Sequence, residues 1–373
     1  MKKIFYILLM ILLVAGCSPS KIETEETTGR ALPYEIEVIA ENLKTPWAIA
    51  IDEDENIYFT ERTGLLNVIE KGEEQPKMLM KFESPFITVG EGGLLGLALD
   101  PGFSTNRFLY VYYTYEDNQQ IFNRVVRLIK DNNQVSFDRV ILDKIPGGNI
   151  HNGGRLKIGP DKKLYITVGD TGKSNLAQDL NSLAGKILRI ELDGSIPTDN
   201  PFANSPIYSY GHRNPQGISW DSKNRLFEAE HGQSAHDEIN LIQKGANYGW
   251  PIVQGDQTNV GAVKMVQPII HSGEETWAPS GLATINQGPW SGKLVAGNLA
   301  GQQLLVLSLN GNGTSVTKKE VWLKNQYGRI REVIQAKDGS IYFTTSNMDG
   351  RGTPNENDDK IIRLVPKKTK ETF

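Results

Sequence analysis

One cysteine, Cys17, stands in 373 residues, so no intrachain disulfide can form and the fold must be held by its apolar core and backbone hydrogen bonds. An excess of one charge is also missing. Forty lysines and arginines against 44 aspartates and glutamates leave a formal −4, which removes the electrostatic case for nucleic acid. Helical periodicity is nearly absent. The apolar stretch from Ile4 to Val14 is too short for a permanent membrane-spanning helix. No Gly-x-Ser-x-Gly elbow, P-loop or zinc-binding helix motif occurs. Gly90-Glu91-Gly92-Gly93-Leu94-Leu95 opens like a dinucleotide fingerprint, but its last glycine is missing and a strand follows where a helix is required. Asp52-Glu53-Asp54-Glu55-Asn56 imitates an EF-hand loop. Its sixth position is Ile57 and its twelfth Thr63, so it reads as a hairpin turn.

What is present begins at the N-terminus. Lys2 and Lys3 precede the short apolar stretch, which ends in Leu13-Val14-Ala15-Gly16-Cys17. Small residues before a cysteine resemble the lipobox of bacterial lipoproteins. That implies a signal peptide over residues 1–16, lipidation of Cys17, and an extracytoplasmic protein held at the cell membrane by its lipid alone. A signal peptide in which Cys17 merely happens to sit is the alternative. Residues 17–32 are polar and without apolar periodicity, and are expected to form a flexible tether. Residues 33–366 form the folded domain and 367–373 a polar tail. With 39% hydrophobic and 23% charged residues the composition is that of a globular protein.

One phrase recurs six times: an apolar alternating stretch, a turn bearing aspartate or glycine, then a second strand that usually carries an aromatic. It runs from Trp47 to Asp52 and on to Ile57-Tyr58-Phe59-Thr60, then from Leu94 to Asp100 and Phe108 to Tyr112. It returns at Arg155–Asp161 with Leu164–Val168, at Gln216–Asp221 with Arg225–Ala229, more loosely at Ser280–Ile285 with Lys293–Ala296, and at Glu332–Asp338 with Ile341–Thr345. Period-two alternation between turns argues strand. Copies roughly 47 to 65 residues apart are long enough for four-stranded blades, and too long and uneven for a β-solenoid. The sequence therefore predicts an all-β, six-bladed β-propeller of four-stranded antiparallel blades. Tyr34–Ile39 precedes the first copy and should close the ring by pairing beside Ile361–Leu364 in the last blade.

Polar residues gather in the loops. His151-Asn152-Gly153-Gly154-Arg155 opens the third copy and Gly169-Asp170-Thr171-Gly172 follows its second strand, so both loops emerge at one end of one blade. His151 and Asp170 could meet there as a base and the carboxylate that orients it, or be ordinary turn residues. By the same logic Arg213, ahead of the fourth copy, should share an end with the carbonyl-rich backbone around Gly232, a plausible seat for a hard cation. Arg329 and Arg331 alternate onto one face at the sixth copy. They would either clamp a multiply anionic ligand or be solvated surface charge.

At these loops the chain resembles the soluble quinoprotein glucose/sorbosone dehydrogenases, which include periplasmic aldose sugar dehydrogenases using pyrroloquinoline quinone (PQQ). The likeness runs from about Leu43 to Leu364. It rests on Glu91 to Gly96, His151 to Asp161, Gly169-Asp170, Gly211 to Gly217, Asp237 to Leu241, Asn247 to Pro251 and Arg329 to Val333. The resemblance implies a six-bladed propeller that oxidises an aldose sugar at its anomeric carbon to a lactone. His151 would be the general base, Asp170 its orienting partner, and Arg213 the charge beside the quinone oxygens. Hydride would pass to the C5 carbon of the quinone. Glu91 and Asn214 would join the cofactor pocket, Arg329 and Arg331 would clamp the cofactor carboxylates, and Ca²⁺ would sit on the backbone carbonyls of Gly232 and Gln233 as a Lewis acid. The final electron acceptor is left open.

The chain departs from the family pattern in places. Ile150 stands where some relatives carry aspartate, and Gln233 where the glucose enzyme has proline. Asn298-Leu299-Ala300-Gly301 lies where relatives carry a lysine that pairs with the cofactor, a loss of about 1.5–3 kcal/mol for a charge-assisted bond. Trp277 could stack on the cofactor or pack between blades. A propeller that binds a sugar or a protein without turnover is the alternative function. A Ca²⁺-dependent lactonase is a third reading, which leaves the two arginines unexplained.

Overall fold

Each copy of the repeated phrase is a hairpin, and most are built on one turn device. Asp52 accepts the backbone N–H of Asp54 (3.0 Å) and Asn56 (2.9 Å), and its second oxygen takes the Tyr58 hydroxyl from the next strand (3.1 Å). Asp100 repeats this with Gly102 and Tyr110, and Asp161 with Lys163 and Tyr165. Asp221 and Asp338 keep the turn but take an arginine, Arg225 or Arg363, in place of the tyrosine. The carboxylate satisfies turn N–H groups that have no strand partner, which is why an aspartate recurs at this point of the phrase. The EF-hand look-alike is thus a hairpin turn, as its sequence predicts.

The structure, a computed structural model, describes residues 22–27, 29–257 and 264–367. Its strands form six sheets, each with four antiparallel strands. Blade 1 is Pro46–Ile51, Ile57–Glu61, Leu65–Ile69 and Lys77–Lys81. Blade 2 is Leu94–Leu99, Phe108–Asp117, Gln120–Asp131 and Gln134–Pro146. Blade 3 is Leu156–Ile158, Leu164–Val168, Lys186–Ile190 and Ile207–Tyr210. Blade 4 is Pro215–Trp220, Leu226–Glu230, Glu238–Ile242 and Ile270–His271. Blade 5 is Pro279–Thr284, Leu294–Asn298, Gln303–Leu309 and Val316–Trp322. Blade 6 is Ile330–Gln335, Ile341–Thr345, Ile361–Pro366 and, from the start of the domain, Tyr34–Ala40.

Inner strands of successive blades pack against one another around the whole ring, including blade 6 against blade 1. The approach is close enough to demand glycine. A Cβ on Gly217 of blade 4 would lie 2.3 Å from the Ser280 carbonyl, and one on Gly281 of blade 5 would lie 2.4 Å from the Val333 nitrogen. Across the channel, the buried Arg155 of blade 3 pairs with the buried Glu332 of blade 6 and lies over the ring of Trp47 from blade 1.

Ring closure follows the predicted pairing, and its register sets Ile36 opposite Leu364 and Val38 opposite Ile362. Tyr34 anchors it: the side chain is buried, its ring packs tilted against Trp290 at 4.7 Å, and its hydroxyl accepts the Trp290 backbone N–H (3.3 Å). The expected tether is corrected in part. Glu23–Glu26 forms a fifth, parallel strand on the outer edge of blade 5, against Lys318–Val321. It covers an open edge and is tied by Glu25 to Lys318, Arg30 to Glu320 and the Thr27 hydroxyl to the Val321 carbonyl. The leader, Cys17 and the last residues of the expected tail lie outside the described residues.

Replacing Tyr34 with alanine should cost about 3–5 kcal/mol in denaturant unfolding, as for a large buried aromatic. Ile36→Ala, on the 40% exposed face of the same strand, should cost under about 1 kcal/mol. Equal losses would show that the closing strand is not seated as described.

Candidate active site

At one end of the channel the loops enclose a cavity of about 560 Å³. Its wall includes His151, Arg213, Asn214, Glu91, Arg329 and Arg331 together with the backbone of Gly232 and Gln233, with Asp170 directly behind His151. Every site residue singled out from the sequence within the described residues is therefore brought to one place; Cys17 lies outside them.

His151 Nδ1 lies 2.6 Å from Asp170 Oδ1. With Nδ1–H directed at the carboxylate, Nε2 is left as the acceptor of the ring. The loop is shaped for this contact. His151 holds a left-handed φ of 56°, a strained value for a residue with a side chain, and its N–H donates to Glu91 Oε2 (2.8 Å). A Cβ on Gly169 would sit 2.0 Å from the His151 carbonyl oxygen, so only glycine lets the two loops meet. Burial alone would raise the Asp170 carboxyl, but His151, the Gly172 N–H and the Trp250 indole (2.8 Å) together hold it below its ordinary 3.8. Trp250 was legible only as part of a motif. Its role shows once blade 4's loop folds back over blade 3.

Arg213 faces the same cavity. Its guanidinium lies 5.4 Å from the centre of the Trp250 ring and donates to the His231 carbonyl (3.2 Å). Burial pushes His231 down to about 3, so this second pocket histidine is neutral at pH 7. Among the described residues, His231 Nε2 and Arg213 Nε are buried with no protein partner. The following loop is held by Asp237, whose carboxylate accepts the N–H groups of Gly232 (2.9 Å), Trp277 (2.6 Å) and Ala278 (2.8 Å). Among the described residues, nothing donates to the carbonyls of Gly232 and Gln233. Trp277 itself is 2% exposed in the apolar cluster shared by blades 4 and 5, which settles it as packing between blades.

The opposite wall is cationic. Arg329 and Arg331 are only 9% and 7% exposed, which excludes the surface-charge reading, and both bond Asp349 Oδ2 (2.9 and 3.2 Å). Arg351 pairs with Glu91 (2.8 Å), and Arg62 donates to the Asp349 carbonyl (3.1 Å). Around the whole cavity lining, five arginines against the carboxylates of Glu91, Asp237 and Asp349 leave two positive charges in excess. Burial, with crowding by Arg329, Arg62 and Arg155, pushes Arg331 down to about 10 despite Asp349. Arg62, Asp349 and Arg351 were not singled out in the sequence. The blade 5 wall carries Leu299 and Ala300, while Asn298 turns inward to the Ala296 and Gln303 carbonyls, so no lysine stands there.

Deeper in blade 4, sequence reasoning also missed a buried group in which the ligand atoms of His212, Glu228 and Glu230 lie within 4.8 Å of one another. Glu238 stands opposite Glu230 on the neighbouring strand, and burial raises both carboxyls to about 8.

With the geometry in hand, comparison with known proteins is informative. The profile of the family described as Glucose / Sorbosone dehydrogenase matches residues 43–362. The chain is 33% identical over 341 residues to aldose sugar dehydrogenase YliI of Escherichia coli, covering 84% of this chain and 91% of that one. It is 34% identical over 304 residues to quinoprotein glucose dehydrogenase B of Acinetobacter calcoaceticus, covering 70% of this chain and 63% of that protein. The PQQ-bound aldose sugar dehydrogenase of Streptomyces coelicolor superimposes with a TM-score of 0.81 and 36% identity, over 89% of this chain and 98% of that one.

Two outcomes follow from the ionisations. Trp250→Phe removes one donor from Asp170, so the Asp170 carboxyl should titrate higher in a carboxyl NMR titration. An unchanged value would mean the indole bond contributes nothing. For Glu238 the folded pKa of about 8 lies above the ordinary 4.5, so the folded state holds the extra proton between them. In chelator, stability should therefore fall as pH rises from about 5 to 8, and fall less steeply in Glu238→Gln. Identical pH slopes for the two proteins would contradict this.

Proposed function

The chain belongs to the glucose/sorbosone dehydrogenase family, and from that premise we propose that it oxidises an aldose sugar at the anomeric carbon to its lactone, with PQQ and Ca²⁺ as cofactors. The observation that carries this reading is a single cavity with a His151–Asp170 dyad on one side and an excess of arginine on the other. The matched Streptomyces coelicolor structure contains PQQ, and the matched Acinetobacter protein is a quinoprotein.

The cavity suits a compact, multiply anionic ligand: its volume is ample, its wall carries surplus positive charge, and buried Arg213 Nε and His231 Nε2 await partners. Arg329 and Arg331 would hold the cofactor carboxylates, with Asn214 and Glu91 lining the same cavity. The undonated carbonyls of Gly232 and Gln233 offer hard oxygen ligands to Ca²⁺ on a loop already braced by Asp237. When bound, PQQ supplies the two-electron acceptor that no side chain provides.

The chain's own residues do the rest. His151 Nε2 accepts the proton of the anomeric hydroxyl. Asp170 holds the ring by Nδ1 and stabilises the imidazolium that forms, as a buried carboxylate already ionised at neutral pH can. Arg213 keeps a fixed positive charge beside the reacting atoms, and Trp250 braces both Arg213 and Asp170. Lipidation at Cys17 would place this chemistry on the extracytoplasmic face of the membrane.

Apoprotein supplied with PQQ and Ca²⁺ should oxidise aldoses with an artificial dye as acceptor, and chelation should abolish the activity. His151→Gln should fold normally and lower turnover by roughly 10²–10⁴. Full activity in that variant removes His151 from the mechanism, and no activity under any cofactor condition favours a propeller that binds without turnover.

A further inference from the structure

The arginines of the cavity wall are not equally satisfied. Arg329 and Arg331 share the Asp349 carboxylate, Arg331 Nε also donates to the Ser346 hydroxyl (2.9 Å), and Arg351 is paired with Glu91. Arg62, in the turn after the second strand of blade 1, has no directly paired carboxylate among the described residues. Its one side-chain hydrogen bond among the described residues goes from Nη2 to the backbone carbonyl of Asp349, and its Nε is buried without any partner. It lines the same cavity as Arg329 and Arg331.

The fold makes room for it. Gly93 has φ 151°, and a Cβ there would lie 2.3 Å from the Arg62 carbonyl oxygen and 2.7 Å from its Cγ. On the other flank Gly352 gives way to Arg329, where a Cβ would approach Cδ to 2.8 Å. Two glycine clefts thus seat two arginines on either side of the Asp349 loop. A half-buried guanidinium with an unpartnered buried Nε and no directly paired carboxylate, with Asp349 and Glu91 only at longer range, is costly unless an anion arrives to meet it. On the blade 5 side the wall offers Leu299 and Ala300, with no cation to share that task.

We propose that Arg62 is a further cofactor-binding residue, meeting a carboxylate of the bound tricarboxylate through its guanidinium and completing a three-arginine clamp with Arg329 and Arg331. This rests on the PQQ reading above. A third guanidinium from blade 1 supplies positive charge that blade 5 does not. It also joins the first and last blades through one ligand.

The test is direct titration of PQQ into the full-length apoprotein at millimolar Ca²⁺, followed by calorimetry and by cofactor absorbance, with no turnover required. Arg62→Gln should raise the PQQ dissociation constant at least tenfold, and Arg62→Lys should recover part of the loss. If wild-type protein binds PQQ and Arg62→Gln binds it equally well, the inference is overturned while the proposed function stands. If wild-type protein does not bind PQQ at all, the proposed function itself fails and this inference with it. Should Arg62→Gln not fold, Arg62→Lys decides. It keeps the charge but loses the planar guanidinium fork, so it must bind severalfold more weakly than wild type, and equal affinity overturns the proposal.

Discussion

Six blades make a ring only when the first and last are joined, and here the joint consists of backbone hydrogen bonds between Tyr34–Ala40 and Ile361–Pro366. No disulfide assists it. The site depends on that joint in a specific way. Closing the ring sets blade 6 against blade 1, and this brings Arg62 to Asp349 and Arg331 over the ring of Trp47. Glu332 of the same closing blade then reaches across the channel to Arg155. A buried ion pair of this kind adds little net stability over apolar packing, but losing one partner leaves an uncompensated charge, so it enforces one arrangement of the blades.

On that frame the cavity carries charge and strain that folding alone would not select. The wall has more arginine than carboxylate, Arg331 is crowded by its own kind, and His151 holds a left-handed backbone angle. Each feature is tolerated because neighbouring groups fix it: Asp349 bridges two arginines, Glu91 takes the His151 N–H, and Gly169 clears the space between the loops. The same features are the ones a sugar-oxidising site would use, with fixed positive charge on one side and an oriented base on the other.

Much of this was legible in the sequence because it repeats or sits in short motifs. The Asp turn recurs with a strand that packs on it, and two-residue alternation gives the blades. Hairpin geometry puts the loops of His151 and Asp170 at one end of one blade and leaves open whether they meet, which the structure then shows. What escaped reading lacks a local signature. Arg62 and Asp349 are 287 positions apart and meet only through ring closure. Trp250 reaches Asp170 across 80 positions. The buried Glu228, Glu230 and Glu238 occupy alternate strand positions that pattern alone assigns to a polar face. Glu23–Glu26 is four polar residues with no apolar face. Its strand exists because an open edge and two lysine- or arginine-bearing neighbours accept it.

The central claim is that this cavity removes hydride from the anomeric carbon of a sugar while His151 takes the hydroxyl proton. The most direct measurement is an anaerobic single turnover of protein loaded with PQQ and Ca²⁺, comparing an aldose with its counterpart deuterated at the anomeric carbon. The account predicts that the cofactor absorbance converts to the reduced form in one step, slowed severalfold by deuterium. Conversion at the same rate with both sugars, or no conversion, would contradict it.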